Sequence, residues 1–468
     1  MFSRRTGTLV ARSLALACVV TAGCLVLGTA TAFLVTRTDL PGRRAFGVLA
    51  ALPLAVPTYV AAFAWVSTVD SFAGFWAAAL VLIVCSYPYV YLPVAAALAG
   101  ADPAQEEVAR SLGRGPWRTF TGVTLRQVRP AAAAGALLTA PYVLSEFGAI
   151  SILRVDTLTR AIFTAVNLGF DRTGALVLST VLVALTLVIL LGEGLSRRRG
   201  VRYARIGGAG RPARRIPLGP WRWPAAAGLS VVAALALGVP AQSLAYRLLT
   251  GVSRPGTLGE VTSAVASSLW FSLLGAALTM LLALPIGLLS SRVPGPLAIA
   301  LDRLSYLAHG LPGLVIGLSL VFFGIQLAYS LYQTVWLLAL GYAALFLPLA
   351  VAAVAGAAGH VPPIVEDVAR SLGRRPAYVL RTVTLPLALP GVGAGAALVF
   401  LTCMKELPAT LLLRPTGMDT LATRLWTHTS VAEYAAAAPY AALLVVIAAV
   451  PTWWLATRTG LFTGFGDG

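Results

Sequence analysis

Apolar residues run along this chain in long unbroken stretches, and the polar ones are gathered into short blocks between them. Eleven apolar stretches stand near 13–35, 45–66, 73–99, 131–153, 174–195, 225–249, 264–289, 304–328, 333–358, 388–413 and 435–457. A helix needs about 20 such residues to cross a hydrocarbon core about 30 Å thick. Prolines inside several stretches (Pro53, Pro57, Pro93, Pro285, Pro312, Pro348) do not argue against helices. In a membrane, neighbouring helices re-satisfy the backbone groups a proline frees. Small residues throughout allow close helix contact. The pattern predicts an all-α polytopic membrane protein of about eleven transmembrane helices.

Composition agrees. The 468 residues are 58% hydrophobic and 11% charged, with a mean hydropathy of +0.84. A soluble domain carries about 25% charged residues, so a soluble fold is excluded. The formal net charge of +18 would suit nucleic acid or anionic lipid, but its placement gives a different reading. Residues 196–222 hold nine arginines and no acid, and basic loops stay on the cytoplasmic side. This predicts a basic cytoplasmic linker, membrane lipid as neighbour and no nucleic-acid partner. Threading outward puts 100–130 and 359–387 inside, 154–173 and 414–434 outside, and the C-terminus in the cytoplasm. Met1 then falls outside beside Arg4, Arg5 and Arg12, the wrong charge for that side. Two expectations compete: a native start upstream with one more helix to match 225–249, the favoured one, or eleven spans with an outside basic end.

Several chemistries drop out. Lys405 is the one lysine of the chain and lies in Cys403-Met404-Lys405-Glu406. It cannot serve a phosphate-binding loop, which needs a Gly-Lys-Ser/Thr end. Cys18, Cys24, Cys85 and Cys403 lie inside apolar stretches with no CxxC spacing, which argues against a disulfide framework or zinc site. His309, His360 and His428 are scattered, so no metal site is expected, and nothing clusters as a membrane enzyme would require.

The strongest signal is an internal repeat. Residues 106–125 read EEVARSLGRGPWRTFTGVTL and 366–385 read EDVARSLGRRPAYVLRTVTL, with twelve of twenty positions identical at a spacing of 260. The register continues through Pro130/Pro390, Gly135/Gly395, Glu146/Glu406 and Arg154/Arg414. Six spans separate the copies, so both face one side, and the halves are parallel repeats. The chain divides into a first half over 1–195 with its loop at 100–130, the linker 196–222, and a second half over 223–468 with its loop at 359–387. Each loop reads as a short surface helix. Asp102 caps it and Pro103 starts it in the first copy. Glu106 and Glu107 lie in the first turn, Glu106–Arg110 and Glu366–Arg370 are i,i+4 pairs, and Val108, Ala109 and Leu112 share an apolar side. Gly113 and Gly373 stop the helices in a left-handed conformation. A loop kept twice while the surrounding spans diverge points to two equal copies of another protein.

The loops resemble the EAA motif of binding-protein-dependent ABC importer permeases, which is Glu-Ala-Ala, three residues, then Gly. The matches are Glu107-Val108-Ala109 with Gly113, and Asp367-Val368-Ala369 with Gly373. Valine replaces the middle alanine in both copies, and Asp replaces Glu in the second. The resemblance implies a coupling helix seated in a groove of an ATP-binding subunit, with Glu106, Glu107, Ala109, Gly113, Glu366, Asp367, Ala369 and Gly373 as coupling residues. Three stretches are similar to the fused ferric-iron permease group: Thr36 to Gly42, Glu146 to Ala149, and Lys405 to Pro415 followed by Asp419 to Thr423. The implied protein is a permease subunit of the bacterial cytoplasmic (inner) membrane. It takes ferric iron from an extracytoplasmic binding protein and works with two ATP-binding subunits. ATP and Mg belong to those subunits, and no cofactor is expected in this chain. Relatives that import thiamine or aminoethylphosphonate share the fused layout.

Ionisable residues within spans are costly and suggest function. Glu146 and the Lys405–Glu406 pair occupy matching helices, in the outer third of the membrane by helical rise. They are candidates for the translocation pathway, where carboxylate oxygens suit a hard cation. The plainer alternative is that they pair locally. A secondary transporter is the rival class. It too has parallel halves, but it calls for mid-span acids and no paired interfacial loops.

Overall fold

The computed structural model describes residues 4–100, 104–167, 169, 171–197, 215–250, 257–292, 295–296, 300–301 and 311–458. Among these, every regular element is helical apart from an isolated bridge between Thr38 and Ile216. Asp102, Pro103, His309, Met1 and most of the linker arginines lie outside the described residues. Contacts divide the chain into two units: Met1–Gly251 with Ala456–Gly468, and Val252–Leu455.

The spine of the first unit is the helix Arg4–Arg37, 34 residues and about 50 Å long at 1.5 Å per residue. Glycines bring its neighbours close, as membrane helices require when packing rather than water drives association. A Cβ on Gly28 would stand 2.8 Å from the carbonyl oxygen of Tyr87, and one on Gly135 would stand 2.6 Å from the Val90 Cα. The span Phe75–Ala99 is thereby clasped from two sides. Val20, Val35, Phe63, Leu82 and Val90 are fully buried in this unit.

In the second unit the spine is Leu258–Arg292, packed on Val335–Gly359 and Leu385–Lys405. Phe271, Leu337, Leu338, Tyr342, Val354 and Val399 form its core. Gly395, the repeat partner of Gly135, admits Ala353, whose Cβ would lie 2.5 Å from an added methyl.

Among the described residues, seven helices are long and apolar enough to cross a membrane, eight if a bent pair counts as one span. Where the structure describes them, the eleven expected stretches map onto helix, but four differ in form. The stretch 45–66 is the pair Arg43–Ala55 and Thr58–Thr68, bent by 94°. Val56 between them is extended (φ −89°, ψ 119°), because a residue before proline is pushed out of the helical region. The stretch 304–328 contributes a described helix of only 14 residues, Gly313–Gln326, begun by Pro312. The stretch 131–153 breaks after Ser145 and 388–413 after Lys405, where Glu146 and Glu406 turn extended (ψ 129° and 119°).

The division of the chain also differs from the repeat boundary. The helix Gly219–Thr250, expected to open the second half, packs with the first unit. Leu229 lies against Val35 and Leu40, the Ser243 and Ser67 hydroxyls are 2.7 Å apart, and Arg247 donates to the Ser67 carbonyl. The segment before it is stitched to the end of the spine by Ile216 N–H to the Arg37 carbonyl at 2.8 Å.

Candidate coupling site

A short helix stands at one end of each spine: Ala104–Ser111 in the first unit and Pro363–Ser371 in the second. Acids occupy the first turns and arginine the last, as the helix dipole favours. Both helices stop at a glycine with positive φ, +79° at Gly113 and +77° at Gly373. In the first, the Arg114 N–H donates to the Ala109 carbonyl at 3.1 Å and the Gly113 N–H to the Arg110 carbonyl at 2.9 Å. In the second, Arg374 donates to Ala369 at 3.2 Å and Gly373 to Arg370 at 2.9 Å. This paired pattern satisfies carbonyls that the helix end would otherwise leave open.

The inward face of each helix carries one glutamate, Glu106 and Glu366, only 5% and 4% exposed. Glu106 meets the Arg37 guanidinium at 3.0 Å and Arg110 at 3.7 Å, and accepts from the Thr124 hydroxyl at 2.9 Å. Glu366 meets Arg292 at 2.8 Å and Arg370 at 3.1 Å, and accepts from the Thr384 hydroxyl at 2.9 Å. Arg37 and Arg292 are the last residues of the two spines. Thr124 and Thr384 end matching π-turns, Phe120–Thr124 and Leu380–Thr384, a widened geometry that recurs at functional positions. One carboxylate therefore ties three elements in each unit: the end of the spine, the loop helix and the start of the next span. A buried pair of this kind adds little net stability, but removing one partner costs about 3–5 kcal/mol because a charge is left uncompensated.

The outward face is different in kind. Glu107 and Asp367 are exposed, and beside them Val108, Leu112, Val368 and Leu372 are 58%, 75%, 53% and 75% exposed. Apolar side chains presented together at i and i+4 mark an interaction surface.

The expected coupling residues thus fall in three places. Glu107 and Asp367 face outward, Gly113 and Gly373 shape the stop, and Glu106 and Glu366 face inward as anchors. Ala109 is buried and Ala369 half-buried. Ala109 does not share a side with Val108 and Leu112, because it lies on the anchored face with Glu106. Arg37, Arg292, Thr124 and Thr384 were not among the expected site residues. Their signal was present: Thr124 and Thr384 are identical in the repeat, and each arginine shortly precedes a Pro-Gly pair.

Glu146 and Glu406 also have matching surroundings. The Glu146 carboxylate accepts the Ala149 N–H at 3.0 Å and the Glu406 carboxylate the Ala409 N–H at 3.1 Å. Each caps the short helix that follows, Gly148–Ile152 or Pro408–Leu413. The Thr58 and Tyr142 hydroxyls, 3.2 Å from each other, stand beside the Glu146 carboxylate. Lys405 ends its helix half-buried. Among the described residues, no three His, Cys, Asp or Glu side chains gather as a metal site would need.

Comparison with known proteins accords with this arrangement. The family described as binding-protein-dependent transport system inner membrane component matches residues 10–199 and 280–456. The chain is 40% identical over 458 residues to the Fe(3+)-transport system permease protein FbpB 2 of Haemophilus influenzae, covering 97% of this chain and 90% of that protein. It is 32% identical to the molybdenum transport system permease protein ModB of Mycobacterium bovis, over 52% of this chain and 96% of that one. It is 31% identical to the sulfate transport system permease protein CysT of Escherichia coli, over 35% of this chain and 67% of that one.

Proposed function

The chain belongs to the binding-protein-dependent transport system inner membrane components, and from that premise we propose that it is the membrane subunit of an ATP-driven importer of ferric iron. The observation that carries the substrate is the 40% identity to an Fe(3+)-transport permease across 97% of the chain. The machinery is supported by the twofold occurrence of one anchored loop helix. Two copies of an ATP-binding subunit, with ATP and Mg bound there, dock on the outward faces around Glu107, Val108 and Leu112 and around Asp367, Val368 and Leu372. An extracytoplasmic binding protein delivers the ion from the other side. The chain sits in the bacterial cytoplasmic membrane with its loop helices and C-terminus inside.

The geometry supports a direct route for the motion. A displaced loop helix pulls its buried glutamate, and the glutamate pulls the end of the spine through Arg37 or Arg292 and the next span through Thr124 or Thr384. Each contact is charged or charge-assisted, and short, so the three elements move together. Glu146, Lys405 and Glu406 are proposed to face the pathway, the two glutamates while also capping their helices.

The test is uptake in proteoliposomes holding this chain with the ATP-binding subunit and binding protein of the same organism. ATP-dependent accumulation of ferric iron is expected. Accumulation without ATP, driven by an ion gradient, would return the chain to the secondary transporters. ATP-driven uptake of a different solute would remove iron alone.

A further inference from the structure

The first unit has a second built feature at the far end of its spine. A cleft of about 230 Å³ opens there between the first turns of Arg4–Arg37 and the helix Leu158–Asn167. Arg5, Thr8, Arg12, Asp156, Arg160 and Thr164 supply its polar walls. Asp156 is shared by two arginines, Arg160 at 2.8 Å and Arg12 at 3.4 Å, and Arg5 lines the same cleft, which thus holds three guanidiniums and one carboxylate. Such exposed pairs are worth little, and their forked donors remain open to an incoming carboxylate, which arginine binds bidentately.

The cleft is remote from the loop helix. Arg12 lies 25 residues before Arg37 on one helix, about 37 Å away, more than the thickness of a hydrocarbon core. If the loop helix meets the ATPase on one side of the membrane, the cleft opens on the other.

The repeat supplies a control within the same chain. In the first unit the Ser13 hydroxyl accepts the Leu158 N–H at 3.0 Å, and in the second the Ser268 hydroxyl accepts the Leu421 N–H at 2.7 Å. The same lock sets one register in both. In that register Glu260, Ser267 and Thr423 stand where Arg5, Arg12 and Arg160 stand, while Asp419 stands where Asp156 does. At these positions the three arginines of the first unit become an acid and two hydroxyls, and Asp419 is paired instead by Arg414 and Arg424. The loop helices kept their chemistry in both copies, whereas this end kept only its arginine-paired aspartate and exchanged the arginines that line the cleft.

We propose that the arginine-walled cleft receives carboxylate side chains of the extracytoplasmic binding protein, and that its contrast with the second unit fixes which part of that protein meets which unit. The inference rests on the reading above, in which a binding protein delivers the substrate. Charge complementarity selects an acidic surface, and a partner that meets two repeated units needs a difference between them to choose one orientation. Complementary charge supplies that choice and steers the encounter.

The test uses the chain with the ATP-binding subunit of the same organism in nanodiscs of neutral phosphatidylcholine, and that organism's binding protein as probe. The variant Arg5→Gln, Arg12→Gln, Arg160→Gln is expected to weaken Kd about tenfold at roughly 50 mM salt, with the difference closing near 500 mM as screening removes it. Co-purification of the ATPase with the variant shows that it is folded. A photocrosslinker at Thr8 and one at Ser263 should capture two different segments of the binding protein in the wild type, and both segments at both positions in the variant. Equal Kd at low salt, or mixed segments already in the wild type, overturns the proposal. So does a loss seen only when phosphatidylglycerol is added, which would make the cleft a lipid headgroup site. A wild-type chain that binds no binding protein at all sinks the parent reading, a result distinct from equal binding by wild type and variant.

Discussion

Glu106 and Glu107 are neighbours on opposite faces of the loop helix, one buried and one exposed, and substitution should separate them. Glu106→Ala leaves Arg37 buried at the spine end without its carboxylate, a loss of about 3–5 kcal/mol that falls on the local attachment of the helix. Faster hydrogen exchange over 104–111 with a weakened ATPase complex is the expected outcome, and the same holds for Glu366→Ala. Glu107→Ala should leave exchange unchanged, within about 0.5 kcal/mol as for other surface sites, and weaken only the ATPase complex. Glu146 and Glu406 call for a finer comparison. Gln keeps a carbonyl acceptor for the Ala149 and Ala409 N–H groups and loses the charge, whereas Ala loses the cap as well, about 1 kcal/mol for a typical cap. If the acids serve a cationic pathway, Glu146→Gln with Glu406→Gln depresses iron uptake at unchanged thermal stability. Uptake lost only in the Ala variants would leave capping as their role. At this scale the sequence exposed residues whose partners are local, such as Glu366 and Arg370. It hid Arg37, whose carboxylate partner lies 69 positions away and leaves no trace in any periodicity.

The loop helices are defined as elements by how they stop. Gly113 and Gly373 hold φ near +79° and +77°, outside the range of proline, and each donates its N–H to the preceding turn. Gly113→Pro with Gly373→Pro removes both, at about 3 kcal/mol or more for each stop. The protein should still insert in the membrane, because the stops lie outside the spans, while uptake falls to background. Fractionation and uptake assays check the two halves of that expectation. The stops were legible from glycine after a periodic apolar and charged pattern. The breaks at Glu146 and Glu406 were not, because hydropathy averages over a window and a single extended residue does not interrupt an apolar run. The second break had a local sign in Leu407-Pro408, the first had none. Pro57 was read as tolerated within a helix, and the structure shows instead a 94° bend.

At the scale of the molecule, the repeat makes the duplicated architecture visible in the sequence but does not say which unit a helix packs with. Gly219–Thr250 follows the linker in sequence and joins the first unit through Leu229, Ser243 and Arg247, contacts that hydrophobic patterning alone does not assign. Function also belongs to this scale: the chain offers no phosphate-binding loop, and under the proposed reading two docked ATPases supply the hydrolysis. Reconstituted alone in lipid, it should hydrolyse ATP no faster than empty vesicles. The central claim is that each loop helix seats one ATP-binding subunit, and native mass spectrometry of the chain co-expressed with its ATPase tests it most directly. The wild type should carry two ATPase copies, Gly113→Pro or Gly373→Pro alone one, and the double variant none. Two copies retained on the double variant would contradict it.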